Sequence, residues 1–193
     1  NKAFQISGAS WNEWLGWQIA NAGDVNKDGF DDIIIGAPGT VGKYGRVYVI
    51  YGKAGSSFSN IDLHNLGPTV GFKITGNIVG DYFGLSVGGA GDINGDGFAD
   101  LVIGAPNSQQ GAVYVIYGKA NPVNIDISNL NPSAGFMIKG NSDGDRLGYS
   151  VAPVGDINKD GFDDIIIGAP YANSNRGGAY VIYGKQTGAN INL

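Results

Sequence analysis

The chain has 193 residues, 34 of them glycine, so glycine is more than twice as frequent as its usual roughly 7%, while charged residues reach 15% where about 25% is common. That balance excludes a mainly helical chain and favours turns, and 42% hydrophobic residues leave ample material for a core. The net charge of −5 rests on acidic residues that are all Asp except Glu13, which excludes the basic surface a nucleic-acid partner requires; the longest apolar runs, Ile33 to Ile35 and Val113 to Tyr117, are far too short to span a membrane as helices.

No basic stretch followed by an apolar one opens the chain, so the expectation is a soluble chain from which any export signal has been removed. Without cysteine there is no disulfide framework and no thiolate metal site. In chain order, the first expected strand (D) covers Phe4-Gln-Ile-Ser-Gly8. A loop carrying Trp11, Trp14 and Trp17 leads through Leu15-Gly16 into strand A, around Gly16 to Ala20. An acidic loop from Asp24 to Asp32 follows, then strand B across Ile33 to Ile35, closed by Gly36-Ala37-Pro38. The loop Gly39 to Tyr44 precedes strand C at Val47 to Tyr51, and Ile61-Asp-Leu63 leads to the next D strand at Phe72-Lys-Ile-Thr-Gly76.

The whole pattern returns twice, with acidic loops at Asp92 to Asp100 and Asp156 to Asp164, Gly-Ala-Pro at 104–106 and 168–170, and further C strands from Ala112 and Ala179. The repeat units are about 4–71, 72–135 and 136–193 of one module, 1–193. Strands B and C are β-branched and aromatic without strict alternation, as in strands buried on both faces. A sheet of four antiparallel strands, covered on both faces and repeated at this period, is a β-propeller blade. The fold class is therefore all-β, with three blades in the chain.

Each acidic loop reads Asp-x-Asn-x-Asp-Gly-x-x-Asp. Asp24, Asn26 and Asp28, with the Phe30 carbonyl and Asp32, present oxygen at alternate positions, and Gly29 supplies the positive φ that the reversal requires. The second loop repeats the set with Asp92, Asn94, Asp96, Phe98 and Asp100, and the third with Asp156, Asn158, Asp160, Phe162 and Asp164. Hard oxygen ligands without His or Cys point to calcium, three ions per chain, rather than a transition metal. The bland alternative is Asx-turn chemistry in a hairpin loop. Ile35, Ile103 and Ile167 stand where an EF-hand needs its final Glu, so these are hairpin loops.

Phe83-Gly84 and Gly104-Ala105-Pro106, with the acidic loop between them, resemble the FG-GAP repeats of the integrin alpha-subunit propeller and its bacterial relatives. The resemblance covers essentially the whole chain in three copies. Leu15 and Leu147 replace the Phe in the outer repeats, and three repeats stand where integrins have seven. What the resemblance implies is an extracellular or cell-surface adhesion or protein-interaction module whose ligand face lies opposite the calcium loops.

Strand parity places Trp11, Trp14 and the loops Gly39 to Tyr44, Asn107 to Gln110 and Tyr171 to Arg176 on that opposite face. Trp11 and Trp14 are the candidate ligand anchors, for a protein or, in a lectin reading, for a glycan. Trp17 aligns with Leu85 and Tyr149 and reads as core at the start of strand A. No catalytic residues are expected. Gly84-Leu-Ser-Val-Gly88 imitates a nucleophile elbow but falls mid-strand, His64 is the single histidine, and the pairs Asp31-Asp32 and Asp163-Asp164 are the only basis for a hydrolase reading.

The chain opens on a D strand and ends at Ile191-Asn-Leu193, the phrase that precedes D strands, so the last blade lacks its outer strand. Three blades cannot close a ring. The expected remedy is a two-fold homodimer of six blades, each N-terminal D strand completing the partner's last blade; the alternative is that the remaining blades belong to a longer chain.

Overall fold

The computed structural model describes residues 3–39, 42, 44–55 and 59–193. Residues 40, 41 and 43 of the first candidate ligand loop lie outside it, as do Asn1 and Lys2. The chain is all-β. Strands β1 (Ile6–Ser7) and β5 (Ile61–Asp62) form a short parallel pair. The first full sheet has the order β10-β6-β4-β3-β2, where β2 is Ile19–Gly23, β3 Asp32–Ala37, β4 Tyr44–Ile50, β6 Gly71–Val79 and β10 Ile125–Asp126. The second, β15-β11-β9-β8-β7, uses Ser86–Gly91 (β7), Asp100–Ala105 (β8), Ala112–Ile116 (β9), Gly135–Lys139 (β11) and Ile191–Asn192 (β15). The third has only three strands, β12 (Ser150–Gly155), β13 (Asp164–Ala169) and β14 (Gly178–Ile182).

Two expectations are corrected here. Complete blades have five strands, because two residues of the following repeat (Ile125–Asp126, then Ile191–Asn192) run parallel to the D strand. The C-terminal blade has three. Strand A also begins later than Gly16, at Ile19, Ser86 and Ser150, because the preceding glycines (Gly16, Gly84, Gly148) adopt positive φ and finish a turn before the strand can extend. A turn with left-handed backbone at Asn173, Ser174 and Asn175 sits in the loop between β13 and β14.

The sheets stack through their apolar faces. Ile34, Val47 and Val49 of the first pack against Leu101, Ile103, Tyr114 and Ile116 of the second. Val102, Val113 and Val115 of the second pack in turn against Ile165, Ile167 and Ile182 of the third. The repeated glycines have a steric reason at these junctions: a Cβ on Gly36 would stand 2.1 Å from the Gly84 carbonyl oxygen, and one on Gly104 2.1 Å from that of Gly148. Neighbouring backbones therefore touch where the Gly-Ala-Pro of one blade meets the Phe-Gly or Leu-Gly of the next. Among the described residues no helix is long and apolar enough to cross a membrane.

Candidate metal centres and ligand face

The three acidic loops join the first and second strands of their sheets, all at one end of the blades. In the first, Asp24 accepts hydrogen bonds from the Asp28 and Gly29 amides at 3.0 and 2.8 Å, Asn26 Oδ1 accepts from Asp28 N at 3.0 Å, and Asp28 accepts from Phe30 N at 3.0 Å. The second and third loops repeat these bonds through Asp92, Asn94 and Asp96, and through Asp156, Asn158 and Asp160. The Asx turns of the bland reading are thus present, and they hold the first, third and fifth side chains on one tight curve. Gly29, Gly97 and Gly161 carry the positive φ expected of the sixth place, at 91°, 85° and 93°.

The ninth residue does more than the sequence implied. Asp32, Asp100 and Asp164 are buried, and each spans from the start of its loop to the end of the third strand. Asp32 accepts from Val25 N at 3.0 Å and Gly52 N at 2.8 Å, Asp100 from Ile93 N and Gly118 N, and Asp164 from Ile157 N and Gly184 N. Burial pushes Asp32 up to about 6 and Asp100 up to about 8; the two amides oppose the shift, and the neighbouring loop carboxylates add to it.

With the ninth carboxylate turned to the backbone, no three His, Cys, Asp or Glu side chains form a ready cation cluster among the described residues. Apart from the ninth residue, each loop offers two carboxylates and one amide oxygen, that of Asn94 being buried. That donor chemistry fits a hard cation such as calcium. Beside two of the loops a buried hydroxyl, that of Tyr51 or Tyr117, has no hydrogen-bond partner. Both phenols are pushed up to about 12, by burial first and then by the loop carboxylates next to them.

The loops also tie the blades together. Asp24 O accepts from Ala99 N and Asp92 O from Asp163 N, while Val25 O and Ile93 O accept from Lys119 N and Lys185 N. Asp163 Oδ2 accepts from Asp92 N at 2.8 Å. Asp163 is therefore an inter-blade link.

At the opposite end the fourth-to-first and second-to-third strand loops meet: Gly39 N donates to Glu13 O, Asn107 N to Asp81 O and Tyr171 N to Asp145 O. Trp11 and Trp14 lie here, both exposed. Trp17 corrects the core reading. It precedes the strand, is exposed, and stacks on Trp14 with ring centroids 5.4 Å apart. Trp14, Tyr82 and Arg146 share a left-handed backbone (φ 56°, 57° and 55°), so the same turn presents a large side chain in each blade. Arg146 lies over the Tyr171 ring at 4.7 Å. A notch of about 150 Å³ between Tyr82, Asn107, Arg146 and Tyr149 opens on this end; a wider groove of about 950 Å³ lies at the acidic end, bordered by Asp28, Tyr51, Asp62 and Pro122.

Sequence reading missed an acidic position two residues before each Leu-Gly or Phe-Gly pair: Glu13, Asp81 and Asp145. Glu13 is buried and receives Tyr48 Oη at 3.1 Å and Arg46 Nη1 at 3.3 Å. Asp81 accepts from Phe83 N at 3.0 Å, but its second carboxylate oxygen is buried without a partner, and burial pushes it up to about 6. The recurrence of an acid at one place in all three repeats was the available signal. Ser86, the false nucleophile, is buried and donates to Gly148 O at 2.7 Å across the blade junction.

Stacked β-sheets, a recurring acidic loop and glycines at each junction define a repeat protein of the propeller class. Residues 15–50, 83–116 and 147–183, together more than half the chain, match the FG-GAP repeat, and the chain belongs to that integrin-alpha-like propeller family. It is 36% identical to human integrin alpha-6 over 153 residues, 74% of this chain and 12% of that protein. It is 31% identical to integrin alpha-5 of Xenopus laevis over 181 residues, 92% of this chain and 16% of that one. A mouse phosphatidylinositol-glycan-specific phospholipase D is 34% identical over 173 residues, 84% of this chain and 19% of the enzyme. The chain thus spans less than a fifth of the length of these relatives.

Proposed function

We propose that the chain is a calcium-stabilised, integrin-alpha-like propeller module that acts outside the cell in adhesion or protein interaction and has no catalytic activity of its own. The observation that carries this reading is the division of the blades into two chemically distinct ends. One end repeats the same oxygen-rich loop three times; the other displays Trp11, Trp14, Trp17, Tyr149 and Tyr171 to solvent.

Calcium would be held by the oxygens of Asp24, Asn26 and Asp28 and the Phe30 carbonyl, over Asp32, and by the corresponding residues at Asp92 to Asp100 and Asp156 to Asp164. Bound there, the ion supplies positive charge where carboxylates crowd, which stabilises the loop and, through Ala99 N and Asp163 N, the blade junction beside it. Protein ligands need aromatic anchors more than a deep cavity, so the aromatic end suits them better than the wider groove does. The stacked Trp14 and Trp17 favour a second reading, in which a sugar ring lies on this platform.

The test is binding of the calcium-loaded chain to immobilised extracellular-matrix glycoproteins, before and after enzymatic removal of their glycans, with Trp11→Ala and Trp14→Ala as comparisons. Binding that survives deglycosylation and is lost in the variants supports protein recognition. Binding lost on deglycosylation shifts the assignment to the lectin reading, and binding unchanged in both variants contradicts the aromatic site.

A further inference from the structure

The three acidic loops have the same ligand sequence, but the junctions between blades do not hold them in the same way. The first and second loops are each met by the eighth residue of the loop that follows, Ala99 for the first and Asp163 for the second. Ala99 N donates to Asp24 O at 3.2 Å, and its methyl side chain has nothing to offer the Asp24 amide. Asp163 holds Asp92 at two points: Asp163 N donates to Asp92 O at 3.1 Å, and Asp163 Oδ2 accepts from Asp92 N at 2.8 Å. Gly91 makes the second contact possible, since a Cβ there would overlap the Asp163 carboxylate.

Both partners in this clamp organise their own loops. Asp92 is the first residue of the second loop, and its carboxylate gathers the amides of Gly95, Asp96 and Gly97 at 2.7, 3.0 and 2.8 Å. Those bonds set the curve on which Asn94 and Asp96 stand. Asp163 lies between the Phe162 carbonyl, an assigned oxygen of the third loop, and Asp164, which ties that loop to Ile157 N and Gly184 N. A third loop ordered around an ion therefore fixes Asp163, and a fixed Asp163 fixes the first oxygen donor of the second loop. The rest of the junction acts in the same direction. The Phe162 ring closes over Gly95, where a Cβ would stand 2.7 Å from Cε1, and Lys185 N donates to Ile93 O at 2.8 Å.

We propose that Asp163 is a positioning residue for the second loop, through which occupancy of the third loop strengthens calcium binding at the second. The inference rests on the calcium reading and adds an order of filling to it. By linkage the strengthening is reciprocal, so an ion in the second loop raises the affinity of the third by the same factor. The first loop, whose junction lacks the side-chain clamp, fills without this assistance.

Amide resonances of Gly29, Gly97 and Gly161, followed in a calcium titration, report on the three loops one at a time. Asp160→Ala takes a carboxylate from the third loop and none from the second; the Gly97 midpoint should move to about tenfold higher calcium while that of Gly29 stays in place. Asp163→Ala should reproduce the Gly97 shift, and Asp163→Asn, which keeps an oxygen for Asp92 N, should restore the original midpoint. Ala99→Asp offers the first junction the carboxylate it lacks, with Gly23 in the place of Gly91 at a similar φ (72° and 70°), and should move Gly29 to lower calcium, a gain that misfolding cannot imitate. A Gly97 midpoint that Asp160→Ala leaves unchanged overturns the inference while the calcium sites stand. An Asn variant as weak as the Ala variant also overturns it, because charge rather than the hydrogen bond would then carry the effect. If none of the three glycines responds to calcium in the unaltered chain, the calcium reading itself falls and this inference with it.

Discussion

Val115 and Val181 occupy the same place in the third strand of consecutive blades, opposite Val102 and Ile166, but only Val115 also has a fourth-strand neighbour, Phe136; Val115 is sealed and Val181 stands in water. The residue type is identical, and what differs is the fourth strand beside it and the blade packed over it. The second blade is covered on both flanks, by the first and the third, and the third blade on one. In stacked repeats, a side chain's contribution to stability is thus set as much by the adjoining repeat as by its own strand.

The largest way to break this comparison is to place a charge at each site. Val115→Asp buries an unpaired carboxylate and is expected to cost more than about 3 kcal/mol, a large fraction of the stability of an ordinary domain. Val181→Asp, at a position already exposed to water, is expected to cost less than about 1 kcal/mol. Urea denaturation of the two variants measures the difference, and equal losses would remove the contrast.

A smaller effect comes from Asp81, the buried carboxylate with one unpartnered oxygen. Its folded value of about 6 lies above the ordinary 3.8, so between those pH values the folded chain holds more protons than the unfolded one. Stability should therefore fall as pH rises from about 4 to about 6, and the full penalty is present at neutral pH. Asp81→Asn keeps an oxygen for Phe83 N and removes the charge, with an expected gain on the order of 2 kcal/mol at pH 7 and little at pH 4. Thermal melts at the two pH values check the sign.

Next in size are the loops. If calcium binds in the range of extracellular modules, each site adds about 2 kcal/mol at millimolar calcium. Asp96→Ala should abolish one site and leave the other two, visible in titration calorimetry as a lost third of the stoichiometry. The smallest effect on stability is at the aromatic end, where Trp14→Ala should change the unfolding free energy by no more than about 0.5 kcal/mol while reducing ligand binding.

The second and third strands and the acidic loops were legible because their residues repeat at fixed offsets and glycine or proline marks each end. The fifth strand was not, since two residues such as Ile125 and Asp126 carry no periodicity and gain their strand character only from β6 alongside. Trp17 was misread because Leu85 and Tyr149 share its alignment, whereas all three precede the strand, and Trp17 stacks on a tryptophan the other repeats lack. At the candidate sites the donor sequence was plain. The turning of Asp32, Asp100 and Asp164 to backbone amides was not, because it depends on where Gly52, Gly118 and Gly184 arrive from another strand.

Titration calorimetry of the chelator-stripped chain with calcium, followed by melting of the loaded and stripped forms, bears most directly on the proposal that the three loops are calcium sites supporting the blades. Saturation at three ions per chain with a raised melting midpoint is the expected result. No binding heat, together with a midpoint that chelator leaves unchanged, would contradict it and leave the loops as hydrogen-bonded turns.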